Sequence, residues 1–246
     1  MEVHHPHQPA HTKKWTAYLL EFFMLFLAVF LGFVAENIRE NKVEKKRGLE
    51  YIKSFVEDLR TDTSQFAKLI IEFKSQDTVL NTIYACFDTI NMNSRSNSCL
   101  KNIITNALGF TDFVYTDRTM QQLKNAGGLR LIRDKEITDS IILYDALVRE
   151  DLIHQEVMEN IQQITINAHI SMISFNQLKK LSYRANLTNS DTNSSFLLSN
   201  DKRELNQYFN QILSFKQNCY RQLTRLQELK EKASNLIIFL NKKLGD

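Results

Sequence analysis

The sequence predicts an all-α protein in which an N-terminal transmembrane helix precedes an elongated antiparallel bundle of three to four long helices with short inserted helices. Two observations predict this class. An apolar stretch near the start is long enough to span a bilayer, and apolar residues beyond it recur every three or four positions. Both prolines, Pro6 and Pro9, precede these segments, so none interrupts a helix. We therefore divide the chain into a His-rich tail (1–14), a transmembrane helix (15–35) and a soluble helical bundle (36–246).

The apolar stretch Trp15–Ala35 would form a helix about 31 Å long, which matches a hydrocarbon core of about 30 Å. Its one charged residue, Glu21, costs about 2–3 kcal/mol to insert. About a dozen Phe, Leu and Val residues each return about 0.3–0.6 kcal/mol, so insertion is favourable. Helix-forming polar sequence follows directly from Glu36, which predicts an uncleaved signal anchor rather than a cleaved signal peptide.

The charges that flank the predicted span leave its orientation open. A strict count of Lys and Arg places the bundle in the cytoplasm, because more basic residues follow the span than precede it. The basic residues that follow are interleaved with glutamates, however, and those that precede lie directly against the membrane. The residues are Lys13 and Lys14 on the entry side and Arg39, Lys42, Lys45, Lys46 and Arg47 on the exit side.

The segment around the span resembles the start of a known family. Its features are Lys13-Lys14-Trp15, Tyr18-Leu19-Leu20-Glu21, an apolar stretch containing Gly32, and Glu36-Asn37-Ile38-Arg39-Glu40. They are similar to the N-termini of a family of single-pass membrane proteins of Bacteroidota, classed as a domain of unknown function. The resemblance implies a bacterial inner-membrane protein with a cytoplasmic N-terminus and a periplasmic helical domain, and it implies no activity. The His-rich tail stands where the family has a Lys/Arg-rich one.

Three long amphipathic helices are predicted for the bundle. The first, 48–90, continues the membrane helix as one rod with Gly48 as a point of flexure. The second starts at Asp134, whose side chain suits an N-cap, and reaches Leu181. Its expected buried stripe is Ile137, Ile141, Tyr144, Val148, Leu152, Val157, Ile161, Ile164, Ala168, Met172, Phe175, Leu178 and Leu181. The third has near-heptad spacing. Its stripe is Leu205, Tyr208, Ile212, Phe215, Cys219, Leu223, Leu226, Leu229, Ala233, Leu236, Leu240 and Leu244.

Shorter elements connect these helices. Residues 91–98 have turn composition, and a short helix is expected from Cys99 to near Leu108. Another short helix begins after Thr116 or Asp117 as its cap and ends at Gly127-Gly128, because glycine suits the left-handed position after a helix. Residues 185–200 form a polar loop.

One face of the membrane helix is a candidate contact surface. Leu25, Ala28 and Gly32 fall within about 40 degrees of Glu21 around the helix. Small residues allow close approach of a second helix, and a carboxylate in the membrane needs a partner or a proton, so this face predicts helix association. The alternative is that Glu21 is protonated or reaches the headgroups and that the small residues are incidental.

Histidine and cysteine offer two further hypotheses. Several imidazoles in a short tract are typical of transition-metal binding, and the tail contains His4, His5, His7 and His11. The alternative is a partly protonated tail lying at the membrane surface or against a partner. His154 and His169 lack ligand spacing and are expected at boundary or core positions.

A disulfide between Cys86 and Cys99 fits a periplasmic domain, since the two residues flank a predicted turn. With Cys219 the total is odd and no CxxC occurs, so three buried thiols are the alternative. A zinc site is not expected.

Residues 116–130 form the densest polar stretch of the soluble part. Gly127-Gly128 is too short for a phosphate loop, and a helix cap and turn is the plainer interpretation. The rival hypothesis is a surface epitope in which Arg118, Arg130 and Arg133 recognise an anionic group.

The sequence predicts an interaction protein rather than an enzyme. No catalytic arrangement and no cofactor motif stands out, and 31 basic and 28 acidic residues are mixed throughout, unlike a nucleic-acid binder. We expect a membrane-anchored interaction or accessory subunit. Its expected partners are the lipid bilayer and either another membrane protein or further copies of the chain, bound through the Glu21 face and the bundle. The alternative is a periplasmic bundle that senses a small ligand between its helices.

Overall fold

The computed structural model describes residues 14–89, 108–176, 179, 197–199 and 201–245, with the backbone alone for 83–89. In this part of the chain, helices account for almost all regular structure, and one antiparallel bridge joins Ile173 to Leu197. The helices are α1 (Trp15–Thr89), α2 (Arg118–Asn125), a 3₁₀ helix (Gly128–Leu131), α3 (Lys135–Met172) and α4 (Lys202–Leu244). The predicted all-α class, a long apolar helix followed by helices that pack against it, is confirmed.

Helix α1 is one continuous rod of 75 residues, or about 112 Å. Its most apolar window has a mean hydropathy of 2.3 and none of that window is buried. By length and composition this is the one helix in the described ranges that can cross a membrane, and a signal sequence meets the same criteria. Farther along, α1 becomes a core helix of the bundle. The prediction of a single rod is confirmed.

Helix α4 packs along both α1 and α3. It runs antiparallel to α3, because residues near its end contact the start of α3 and residues near its start contact the end of α3. From the base of the bundle to its top the pairs are Lys243–Asp134 (2.9 Å), Gln222–Asp151 (3.1 Å) and Tyr208–His169 (2.7 Å). Arg133, just before α3, contacts Asn41 of α1 (2.7 Å), and Tyr144 of α3 contacts Asp62 farther along α1 (2.9 Å), so α1 and α3 run parallel.

The extended residues 108–117, here called the return segment, lead from the top of the bundle back towards its base between α1 and α3. Buried extended backbone must find hydrogen-bond partners, and this segment has no neighbouring strand. Side chains of α1 and α3 supply the hydrogen bonds that a neighbouring strand would otherwise make. Gln65 donates to the Val114 carbonyl (2.9 Å) and accepts its N–H (3.3 Å), while Gln155 accepts the N–H of Phe113 (3.0 Å). The Phe113 ring stacks on Phe66 with centroids 4.4 Å apart.

The predicted stripe of α4 is confirmed from Leu205 to Leu240, every member being buried, and Leu244 is partly buried. The predicted cap of α3 is also confirmed, because the Asp134 side chain accepts the N–H groups of Glu136 and Ile137. Helix α3 ends at Met172 rather than at Leu181, since Ile173 adopts an extended conformation.

The predicted buried stripe of α3 is confirmed only in part beyond Val148, where Met172 is buried and Leu152, Ile161 and Ala168 are partly buried against the core. Val157 and Ile164 are 47% and 53% exposed, and Phe175 beyond the helix is 75% exposed. Besides Met172, the fully buried positions in this half of the helix are Asp151, Met158, Thr165 and His169. The physical reason is that polar groups on this face bond the return segment and α4. Leu178 and Leu181 lie outside the described residues.

Gly48 is a packing site, so the predicted flexure is wrong. It is buried within the unbroken helix α1, and a Cβ added there would overlap the carbonyl oxygen of Leu131. The 3₁₀ helix therefore lies directly against α1. Gly127 precedes it with φ +65°, which confirms the left-handed glycine after α2.

We predict that Gly48→Ala destabilises the bundle by about 1–3 kcal/mol, because α1 and the 3₁₀ helix must separate to admit the methyl group. Urea unfolding followed by circular dichroism measures this. Gly109→Ala is the matched control, since a Cβ there meets nothing within 4 Å. Equal stability of the two variants would show that the close approach is not needed.

Candidate interaction surfaces

The predicted face of the membrane helix lies on the exposed part of α1. Leu25 is 71% exposed, and a Cβ added to Gly32 meets nothing within 4 Å. Glu21 and Ala28 are exposed on the same side. The bundle does not cover this face, which leaves it open to another helix.

Two buried carboxylates on α1 hold the junction between the return segment and α2. Asp58 is 1% exposed, accepts the Thr119 N–H at 3.0 Å and pairs with Arg118. It thereby caps α2 from a different helix. The expected cap, Asp117, precedes α2 but makes no capping hydrogen bond, and it accepts instead from the Gln121 side chain at 2.7 Å.

Asp62, one turn farther along α1, connects α1 to the return segment and to α3. It accepts the N–H of Thr116 (3.0 Å) and the hydroxyl of Tyr144 on α3 (2.9 Å). Burial raises the pKa of Asp62, and the hydrogen bonds from Thr116 and Tyr144 oppose that rise. Both hydrogen bonds of this buried carboxylate therefore join structural elements of the bundle.

Asp145 of α3 completes this network on the opposite side of the return segment. It accepts from Lys124 of α2 (2.6 Å), from Arg149 (3.1 Å) and from the Tyr115 hydroxyl (3.1 Å). Burial alone would raise the pKa of Asp145, but the bonds from Lys124 and Arg149 outweigh it, and the pKa is lowered. Sequence reasoning missed these acids. The available signal was that Asp58 and Asp62 lie within the repeating stripe of buried α1 residues.

The three arginines of the predicted epitope do not form one cluster. Arg133 bonds Asn41 at 2.7 Å and approaches Glu44 at 3.9 Å, at the base of the bundle. Arg118 pairs with Asp58, which lies about 21 Å farther along α1 than Glu44. Arg130 lies between these levels.

Arg130 lines a cleft of about 460 Å³ at the base, here called the basal cleft. Arg39, Arg47 and Tyr51 of α1 line the same cleft, together with Glu40 and Glu44. Two glycines allow the close packing that forms the cleft. Gly48 lets the 3₁₀ helix approach α1, and a side chain at Gly128 would be crowded because its Cβ would come within 3.1 Å of Leu123 and Tyr51. Arg130 and Arg47 thereby line the same cleft.

A second cleft, of about 490 Å³, lies between α3 and α4. Glu150, Arg221, Arg225 and Lys232 line it, with Asp151 among them. Asp151 is 1% exposed, and its Oδ1 has no hydrogen-bond partner in the described chain. Burial raises the pKa of Asp151, and the bond from Gln222 opposes the rise.

Helix α3 also carries an exposed apolar surface, here called the outer stripe: Leu143, Ile153, Val157 and Ile164. The four side chains are 47% to 62% exposed and fall within about 80 degrees around the helix. The outer stripe therefore runs along one side of the bundle with nothing from the described chain over it.

The remaining predicted sites are either structural or beyond the described residues. His169 and Cys219 are buried, in agreement with the core expectation, and burial raises the pKa of Cys219 to about 12. Among described residues no group of three or more His, Cys, Asp or Glu side chains is placed to hold a metal ion. His4, His5, His7, His11 and Cys99, and the side chain of Cys86, lie outside them.

Comparison of this chain with protein-family models, with curated proteins and with solved structures finds no match. The geometry of the surfaces above is therefore the basis for a functional proposal.

We predict an acid-sensitive stability that depends on His169. Burial lowers its pKa from 6.5 to about 4, so the folded state favours the neutral ring. Its contribution is complete above the unfolded pKa and is lost as pH falls towards 4, by up to about 3 kcal/mol. His169→Gln should remove this part of the pH dependence of the free energy of unfolding.

The control is His154→Gln. His154 lies on the same helix, and its side chain is 43% exposed. It should keep the wild-type pH dependence. An unchanged acid slope in His169→Gln would contradict the assignment.

Proposed function

We propose that this chain is a single-pass, membrane-anchored interaction protein, an accessory subunit that docks on another membrane protein or on further copies of itself. One observation carries the proposal: no residue in the apolar window of α1 is buried, and the helix continues without a break into the core of the bundle. An apolar surface of this size is unfavourable in water and favourable in a bilayer. The rigid continuation holds the bundle at a fixed position above the lipid.

Two surfaces support a docking role. The membrane face with Glu21, Ala28 and Gly32 combines small residues with a carboxylate, which favours close helix packing and polar contacts in lipid. The outer stripe of α3 supports the same role at the bundle. There the helix buries polar residues and leaves apolar ones in solvent, an arrangement that a partner would relieve.

We place the bundle in the periplasm of a bacterial inner-membrane protein, as the resemblance of the N-terminal segment implies. The basic residues after the span favour the cytoplasm instead. A reporter fused after the bundle and active on one side of the membrane distinguishes the two placements.

The proposal predicts that the chain stays in the membrane fraction through high salt and alkaline carbonate and is released by detergent. After mild solubilisation it should migrate with a stoichiometric partner or as an oligomer. Glu21→Gln with Ala28→Leu, or Val157→Asp with Ile164→Asp, should reduce that association several-fold.

Two control variants place a bulkier or a charged side chain off these surfaces. Leu27→Phe adds bulk on another side of the membrane helix, and Ile170→Asp changes an equally exposed isoleucine, 56% exposed, about 140 degrees from the outer stripe. Recovery of the intact chain in the supernatant without detergent would refute the anchor, and a monomer with no partner would refute the docking role.

A ligand-sensing bundle is a second candidate, favoured by the cleft between α3 and α4. The unpaired Oδ1 of Asp151 borders a cleft lined by acidic and basic side chains, which suits a small ligand that carries both charges. A rise in melting temperature with such a compound, absent in Asp151→Asn, would support this candidate over the accessory subunit.

A further inference from the structure

The positive charge of the protein is concentrated at the base of the bundle. We define the basal surface as residues 36–47, 126–136 and 242–245, which contacts between Arg133 and Asn41 and between Lys243 and Asp134 bring together. It carries ten basic and five acidic side chains, whereas the whole chain carries a net charge of +3. The rest of the chain is therefore net negative. The basic residues are Arg39, Lys42, Lys45, Lys46, Arg47, Arg130, Arg133, Lys135, Lys242 and Lys243.

The basal surface lies where α1 leaves its apolar stretch. Arg39 is about 6 Å, and Arg47 about 18 Å, along the helix from Ala35. A headgroup layer extends about 5–8 Å beyond the hydrocarbon. Arg39 thus falls within that layer, and Arg47 lies about one Debye length beyond it. Long basic side chains at this height reach towards lipid phosphates.

The basal cleft contains the two guanidinium groups best placed to bind an anion. Arg47 and Arg130 line it, both are exposed, and neither has a hydrogen bond or ion pair in the described chain. Other charges around the cleft are already paired, Arg39 with Glu36 and Glu44 with Arg133. Glu40 is the remaining acid, so the unpaired charge of the cleft is positive.

We propose that the basal cleft binds the phosphate of an anionic phospholipid headgroup between Arg47 and Arg130, with the surrounding basic residues seating the bundle on the bilayer. The inference rests on the proposed membrane anchoring, which places Arg39 within the headgroup layer and the rest of the cleft directly above it, within about one Debye length. Guanidinium groups suit this ligand because they present several donors to phosphate oxygens at once. Tyr51 contributes an amphipathic wall to the cleft.

The test uses the full chain reconstituted in nanodiscs of phosphatidylcholine with a minority of phosphatidylglycerol. After mild extraction, native mass spectrometry counts the lipids of each class that remain bound. The wild type should retain phosphatidylglycerol well above its bulk fraction, and high salt should abolish the excess. Each cation near an anionic surface contributes roughly five-fold in affinity, so Arg47→Gln with Arg130→Gln should lower the excess about tenfold or more.

Two further variants separate the site from overall charge and from folding. Arg203→Gln with Arg221→Gln removes the same two charges from α4, well above the base, and should leave the excess unchanged. Arg47→Lys with Arg130→Lys keeps the charges and should retain most of it, which excludes misfolding as the cause of a loss.

Four outcomes would overturn the inference. They are no phosphatidylglycerol excess in the wild type, an equal loss in the α4 variant, an unchanged excess in the Arg47/Arg130 variant, and full displacement by inorganic phosphate, which would indicate a free-anion site. Failure of the chain to enter nanodiscs would overturn the proposed function as well, whereas entry without an excess overturns this inference alone.

Discussion

The bundle depends on how side chains of α1 and α3 satisfy the backbone of the return segment. An extended segment between two helices has no neighbouring β-strand to bond its backbone. Each buried N–H left unpaired costs about 1–3 kcal/mol. Asp62 and Gln65 of α1 and Gln155 of α3 supply the missing partners, and Asp58 caps the helix that follows. These bonds set the height of the return segment on both helices.

The position of the return segment also determines which residues meet at the base of the bundle. Once α2 is capped on α1, the Gly127 turn brings the 3₁₀ helix onto Gly48, where no side chain intervenes. Arg130 and Arg133 are thereby brought beside the basic end of α1. The basic surface at the base of the bundle thus follows from buried acids about 21 Å farther along α1. Lys243 joins α4 to the same end through Asp134.

Sequence periodicity predicted the parts of the fold in which burial is apolar. The α4 stripe and the Asp134 cap were found because hydrophobicity and local capping decide them. The C-terminal half of α3 was predicted only in part, because hydrogen bonds to α4 place the polar residues Asp151 and His169 inside. Gly48 was misread for a related reason: its close neighbour, Leu131, is distant in sequence. Of the candidate sites, the Glu21 face could be predicted from residue spacing along one helix. The presence of Arg47 and Arg130 in one cleft could be seen only in the folded structure.

The most direct test of this account is native-state hydrogen exchange across the return segment of the full chain in detergent. The amides of Val114, Thr116 and Thr119, each bonded to a carboxylate or amide side chain, should exchange as slowly as those in the core of α4. The exposed amide of Asp112, with no partner in the described chain, should exchange fast and serves as the internal reference. Exchange of all three amides at the rate of Asp112 would contradict the claim that side chains of the neighbouring helices hold this segment in place.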